Sequence, residues 1–486
     1  MSDPTATPPM MTLADALRWV PGARLVGDAS TPILRVHTDT RTLASGDLFV
    51  ALKGERFDAN AFLGDARARG ATAAIAHGGL EAAGLPGLEV SDTLAALGSL
   101  AAGWRSQFQL PLIAVTGSNG KTTVTQMIAS ILRVACRESS LATAGNFNNE
   151  IGVPLTLLRL RAQHQRAVVE LGMNHPGEIA RLAEMARPTI ALVNNAQREH
   201  QEFMATVEAV ARENAAVFAV LPTQGTAVFP YGDPFTPLWA ELSQRGAIRR
   251  RLHFGEQPGA DVALVDAKWL EGAWQLQART PLGELRCTLR IAGRHNLVNA
   301  LAAIACTLAA GVSLDKIAEG LAAFEPVKGR SKSTELHWPD GRALTLIDDT
   351  YNANPDSVRA AIDVLAELPG PRLLVLGDMG EVGDQGPQFH AEVGAWARRR
   401  GIECMLALGP QTAHSIAAYR EEQGGGGDGR HFEDVDALDA AVLERLPQTA
   451  SVLIKGSRFM RMERVVQAIS AHLPPQQQDK EAGHAA

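Results

Sequence analysis

"IAVTGSNGKTTV", residues 113–124, reads as an apolar strand, a glycine turn and the opening of a helix. Gly117-Ser118-Asn119-Gly120 allows the backbone to turn so that its N–H groups face an anion at the positive end of that helix. Lys121-Thr122-Thr123 then start the helix, with Lys121 suited to β- and γ-phosphate charge and the Thr122 hydroxyl to Mg²⁺. The longer phosphate loop, G-x-x-x-x-G-K-[ST], needs a glycine five places before Gly120, where Val115 stands. An ordinary glycine turn with an exposed lysine is the alternative, and the flanking strand and helix disfavour it. The stretch is expected to bind ATP through a shortened cradle.

The surrounding pattern extends this reading. Val124, Met127, Ile128, Ile131, Leu132 and Ala135 recur at helical spacing, predicting one buried face. "RAVVEL" and "TIALVNN" are apolar runs of the kind found in parallel strands covered on both faces. The stretch from Asp261 to Gly293 has strand-like pieces broken by turn residues, predicting an antiparallel excursion. Further on, "LTLID", "RLLVLG", "CMLALG" and "SVLIKG" alternate with helix-like segments, the rhythm of a doubly wound sheet. The expected fold class is α/β with three domains. A small N-terminal α/β domain spans 1–98, a central ATPase-like domain with a mostly parallel sheet spans 99–325, and a C-terminal Rossmann-like domain spans 326–475. The polar, Pro/Gln-rich residues 476–486 read as a disordered tail.

Bulk properties exclude several classes. A chain of 486 residues with a net charge of -7 does not carry the basic surface of a nucleic-acid binder. Cys136, Cys287, Cys306 and Cys404 are widely separated with no C-x-x-C pair, which argues against a disulfide framework or zinc site. The N-terminus lacks the pattern of a signal peptide, and no apolar run is long enough to span a bilayer. A soluble cytoplasmic protein is expected.

Several residues outside the loop have chemistry to offer. Glu170 ends the apolar run "VVEL", where a carboxylate needs either a cation or water, and a magnesium-holding acid on a neighbouring strand would suit the loop. His200 follows another apolar strand, as a metal ligand or as a structural or exposed histidine. "DDTYNANPDS", residues 348–357, places two acids at a strand end before a turn and helix, which could bind a nucleotide or simply serve turn and cap geometry. Arg330 in "PVKGRS" could reach a phosphate as domains close, or be a linker charge.

Taken in order, "TGSNGKTT", "TAGNFNNEIGVPLTLL", "ELGMNHPGEI", "GRHNLVNALAA", "DDTYNANPDS", "LGDMGEVG" and "IKGSR" resemble the Mur ligase family. With "TDTRTLASGDLFVALKGERFDAN" at 38–60, the resemblance runs to Met462. It points to the branch that joins D-alanyl-D-alanine to UDP-MurNAc-tripeptide; the D-N-P-R stretch of the sister branch that adds the third amino acid is absent. The resemblance implies an ATP- and Mg²⁺-dependent ligase of peptidoglycan precursor synthesis that works through an acyl phosphate, and a monomer is the plain expectation. It implies catalytic roles for Lys121, Glu170 and His200, with Thr122, Glu170 and His200 as metal ligands. Asn296 and Asn299 would lie near adenine, and Arg330, Asp349, Tyr351 and Asn352 would meet ATP from the third domain. Thr38, Asp39, Arg41 and Ser45 would hold the UDP-sugar end, and Asn146 and Asn149 would face the reacting carboxyl. Asp378, Lys455 and Arg458 are expected near the dipeptide.

In "VARENAAVF" the sequence departs from the family: Asn214 stands where a carbamylated lysine usually helps hold a second magnesium. The expectation is that the amide oxygen or a water takes over, aided by Glu213. Rival readings are a folylpolyglutamate-type ligase, a phosphate-loop kinase or switch protein, and an inactive UDP-sugar-binding relative. The long first domain and motif order disfavour the first, the "DDTYNANPDS" module the second, and intact Lys121, Thr122 and Glu170 the third.

Overall fold

The computed structural model describes residues 8–54, 57–199, 202–204, 206–245, 250–422 and 427–473. His200 and the 476–486 tail lie outside the described residues. Three large sheets organise them, one in each of three consecutive α/β domains.

The central sheet has nine strands, with Leu112–Thr116 flanked by Arg166–Glu170 and Ile190–Val193, both parallel to it. Because successive side chains of a strand point to opposite faces, Leu112 and Ala114 enter one core while Ile113 and Val115 enter the other. A strand covered on both faces is apolar throughout, as this one is. The helix Lys121–Cys136 puts Val124, Met127, Ile128, Ile131 and Leu132 into the second core, with Ala135 half-buried at its margin. Val262–Leu270, Ala273–Thr280 and Gly283–Leu289 form the predicted antiparallel excursion at one edge.

The C-terminal sheet runs Lys332–His337, Ala343–Asp349, Ser451–Lys455, Arg372–Gly377, Cys404–Leu408, Asp428–Phe432. Only the first pair is antiparallel. Its middle strands again divide their side chains between two cores, Leu374 and Leu376 to one and Leu373 and Val375 to the other. Asp349 and Lys455 are register partners at the carboxyl ends of adjacent strands, where ligands of such sheets bind.

The N-terminal domain holds a five-stranded sheet, and its buried Asp47 is clasped by Arg35 at 2.6 and 2.8 Å. The helix Thr93–Arg105 runs continuously through the expected 98/99 boundary. Leu97, Leu100 and Ala101 from this helix join a core shared by the first two domains, and Trp104 Nε1 donates to Leu160 O at 3.1 Å. Among the described residues, no helix is long and apolar enough to cross a membrane.

Candidate active site

The carboxyl ends of the central and C-terminal sheets face each other across a cleft of about 1020 Å³. On the central side, the helix Lys121–Cys136 starts directly after Gly120 with no side-chain cap. Its first-turn N–H groups, which have no partner within a helix, are therefore available to an anion. Gly120 has φ 79°, and a Cβ there would meet Asn299 Oδ1 at 2.5 Å, so glycine is required by both conformation and space. Ser118, Asn119, Gly120, Lys121, Thr122 and Thr123 all line the cleft. Gly117 closes the loop from behind, donating its N–H to Asn214 Oδ1 at 2.8 Å.

Lys121 Nζ is folded back onto the loop, donating to Gly117 O at 2.5 Å and Ser118 O at 3.0 Å, and it pairs with Glu199 at 2.9 Å. A phosphate entering the loop would compete for this ammonium. Glu170, only 1% exposed, lies one strand away. Its Oε1 accepts from Thr122 Oγ1 at 3.2 Å and Asn148 Nδ2 at 2.7 Å, while Oε2 is buried with no hydrogen-bond partner among the described residues. A buried carboxylate oxygen without a partner is costly, and a cation removes that cost. Among the described residues no three His, Cys, Asp or Glu side chains form a ready metal cluster. Mg²⁺ does not need one, since it keeps several waters and takes one or two carboxylates together with phosphate oxygens. Thr122 and Glu170 fit that donor set.

The segment Asn194–Glu199, after the strand Ile190–Val193, straps the loop in place. Asn195 Oδ1 accepts from Asn119 N at 2.8 Å, Gln197 N donates to Ser118 Oγ at 2.9 Å, and Asn194 Nδ2 donates to Asn119 O at 2.9 Å. Asn299 Oδ1 accepts from Asn194 at 3.0 Å and Asn296 Oδ1 from Asn299 at 2.9 Å, which ties both expected nucleotide contacts to the same network.

On the C-terminal side, Lys455 Nζ lies 2.6 Å from Asp349 Oδ2 and donates to Asn352 O at 2.8 Å. Burial alone would raise the Asp349 carboxyl, but Lys455 and the Ser331 N–H, 2.9 Å away, hold it below its ordinary value. Arg330 stacks over Tyr351 at 3.9 Å from the ring centroid, and Arg458 lies 5.9 Å from the same ring. All of these residues line the cleft, as do Asn146 and Asn149. Asn149 also caps the helix Gly152–Leu157 by accepting the Gly152 N–H at 2.9 Å.

Other expected residues lie elsewhere. Asp378 does not line the cleft; its buried carboxylate accepts the Thr412 N–H at 2.9 Å at the start of the helix Thr412–Glu421. Thr38, Asp39, Arg41 and Ser45 stay in the N-terminal domain, where Asp39 pairs with Arg41 at 2.7 Å. That arginine's bonds pull the Asp39 carboxyl down to about 2. His200 lies outside the described residues.

Asn214 and Glu213, expected to help hold a second cation through the amide oxygen or a water, both bond backbone groups in the structure. The Asn214 oxygen is taken by Gly117, its Nδ2 donates to Val210 O at 3.1 Å, and the residue is 1% exposed. Glu213 accepts the N–H groups of Gly177 and Ile179, both at 2.9 Å, at the start of the helix Glu178–Ala186. Both side chains are committed to holding backbone. Sequence reading also passed over Asn148, Glu199 and Asn354, which touch Glu170, Lys121 and Asn119. Asn148 and Asn354 stood inside motifs already singled out, Asn354 as the cap of the helix Pro355–Ala366, whereas Glu199 is a loop residue that periodicity does not mark.

Three family models match the chain: "Mur ligase family, catalytic domain" over 32–105, "Mur ligase middle domain" over 115–307, and "Mur ligase, glutamate ligase domain" over 335–458. The UDP-N-acetylmuramoyl-tripeptide–D-alanyl-D-alanine ligase of Escherichia coli is 41% identical, over 89% of this chain and 93% of its own. A crystal structure of MurF from Acinetobacter baumannii superposes with a TM-score of 0.85 at 36% identity, covering 95% of this chain and 98% of that one. The Thermotoga maritima MurF ligase in complex with ADP superposes with a TM-score of 0.78 at 26% identity, covering 90% and 97%.

Proposed function

The chain belongs to the Mur ligase family, and from that premise we infer that it is an ATP-dependent ligase. It joins the terminal carboxylate of UDP-MurNAc-tripeptide to the amine of D-alanyl-D-alanine, giving UDP-MurNAc-pentapeptide, ADP and phosphate for peptidoglycan. The observation that carries this reading is one cleft with an anion cradle on one wall and the buried Lys455–Asp349 pair and stacked Arg330 on the other.

In this reading the first-turn N–H groups after Gly120, with Lys121 released from Glu199, hold the β- and γ-phosphates. Thr122 and Glu170 supply magnesium ligands, and His200 joins them on the strength of the family resemblance. Bound Mg²⁺ would offset phosphate charge and help align the phosphoryl group. Asn296 and Asn299 hold the nucleotide side of the loop. Arg330, Asp349, Tyr351 and Asn352 meet ATP from the C-terminal wall.

A carboxylate oxygen of the tripeptide attacks the γ-phosphorus as its bond to ADP breaks. Asn146 and Asn149 orient that carboxylate. The incoming amine then attacks the acyl carbon, and the carbon–oxygen bond to phosphate breaks. Lys455 and Arg458 suit the carboxylate of the dipeptide, while Thr38, Asp39, Arg41 and Ser45 hold the distant UDP-sugar end. Closing the two walls excludes water that would hydrolyse the acyl phosphate. The cleft is built from one chain, so we take the working unit to be a monomer. Its nucleotide substrates place it in the cytoplasm.

Phosphate release from ATP and Mg²⁺ tests the reading, with tripeptide and dipeptide supplied together and then each omitted. Release that requires both, with a pentapeptide product by mass, is expected. Release indifferent to the dipeptide would point to an ATPase or another amine acceptor.

A further inference from the structure

Arg198 belongs to the strap over the phosphate loop, yet it turns away from that loop and reaches the other domain. Its guanidinium meets Asp356 through Nη2 at 2.5 Å and Nε at 3.1 Å, and Glu392 through Nη1 at 2.7 Å and Nη2 at 3.0 Å. Its backbone N–H also donates to Asp356 Oδ2 at 2.9 Å. Asp356 lies in the first turn of the helix Pro355–Ala366, and Glu392 lies on the helix Gly386–Arg399, so one arginine pins two C-terminal helices. The Phe389 ring lies 5.2 Å from the guanidinium, and the Arg198 side chain is only 21% exposed, which limits screening by salt. Bidentate, partly desolvated arginine–carboxylate pairs are the strong class of charged contact.

Arg198's neighbours in the chain face the opposite way. Gln197 bonds Ser118, and Glu199 holds Lys121 at 2.9 Å. A second bridge runs directly from Asn354 Nδ2 to Asn119 Oδ1 at 2.9 Å. The domain contact and the grip on the catalytic lysine are therefore made by adjacent residues of one short segment.

We propose that Arg198 is a positioning residue: by latching onto Asp356 and Glu392 it docks the C-terminal domain and holds the strap that sets Lys121 and the phosphate loop. Its role in turnover rests on the ligase reading above; its role in docking does not. The phosphate loop keeps its own bonds to Asn194 and Asn195 without the latch, so turnover, which needs both walls in place, falls more than ATP affinity.

The test combines steady-state kinetics with small-angle X-ray scattering of Arg198→Ala, Arg198→Lys and Glu392→Gln in the full chain. For Arg198→Ala, kcat falls roughly 10- to 100-fold, as expected for a misplaced reacting group. The KM for ATP stays within about threefold, and the radius of gyration increases. Arg198→Lys recovers part of the loss, and adding Glu392→Gln to Arg198→Ala expands the chain no further, because the one partner left to Glu392, Arg359, lies within the C-terminal domain itself. Unchanged kcat and scattering in Arg198→Ala would overturn the proposal, as would a further, additive expansion in the double variant. If Arg198→Ala does not fold, Glu392→Gln, whose side chain is 28% exposed, carries the same scattering and turnover test. A wild-type chain without ligase activity would count against the proposed function, while expansion of the variants would still establish the docking role.

Discussion

Asn214 is bound into the framework of the phosphate loop at three atoms. Its amide oxygen is the acceptor for the Gly117 N–H, its Nδ2 returns to Val210 O, and its backbone carbonyl accepts from Thr116 Oγ1 at 3.0 Å. A neutral side chain thus pins the first glycine of the phosphate loop. Truncating it leaves a buried donor unpaired, which costs about 1–3 kcal/mol. Asn214→Ala should accordingly lower the denaturant midpoint of the central domain, and the wild-type enzyme should not respond to added bicarbonate. A variant as stable as wild type, or a clear bicarbonate activation, would contradict this role. The asparagine could be recognised in sequence as a departure, but its partner could not: Gly117 lies far away in the chain, and nothing local marks the contact.

Between elements, the contact of the strap with the helices Pro355–Ala366 and Gly386–Arg399 carries a pH dependence with a definite sign. Arg198 hydrogen bonding is the main cause that lowers Glu392 from its ordinary 4.5. Burial would raise Asp356, but Arg198 outweighs it and holds that carboxyl below its ordinary 3.8. Arg359, 3.0 Å from Glu392, adds to the same effect. Carboxyls depressed by docking contribute fully above their ordinary values, and the contribution is lost as pH falls through the lower, docked values. Scattering should therefore show a docked chain at pH 5 and above and loosening below about pH 4, with Arg198→Ala lacking this transition. Loosening between pH 6 and 8 instead would implicate histidines and contradict the assignment. The elements that make this contact were legible in advance to different degrees. The helix "PDSVRAAIDVLAEL" and the strand "TIALVNN" announce themselves through apolar spacing and an N-terminal proline. The strap between them has no period, and its function lies in amide and charge pairs made across the fold.

Across the three domains, the sheets and their order were legible because buried parallel strands are near-continuous apolar runs, and because the short glycine loop requires a strand before it and a helix after it. The helix Thr93–Arg105 spans the expected 98/99 boundary, with small, helix-favouring residues such as Ala101 and Ala102 carrying it into a core common to both domains. Asp378, at a strand end, looked available for ligand, yet in three dimensions it caps a neighbouring helix. Strand ends mark where ligands can bind but not which side chains turn toward them. In the proposed reaction, two facing walls activate a carboxylate by phosphorylation before the amine arrives. Isotope transfer tests this directly: the tripeptide is supplied with ¹⁸O in its terminal carboxylate, and the inorganic phosphate released during ligation is analysed by mass. Phosphate carrying one carboxylate oxygen per turnover is the predicted result, because the carbon–oxygen bond to phosphate breaks when the amine attacks. Unlabelled phosphate released alongside pentapeptide would contradict it.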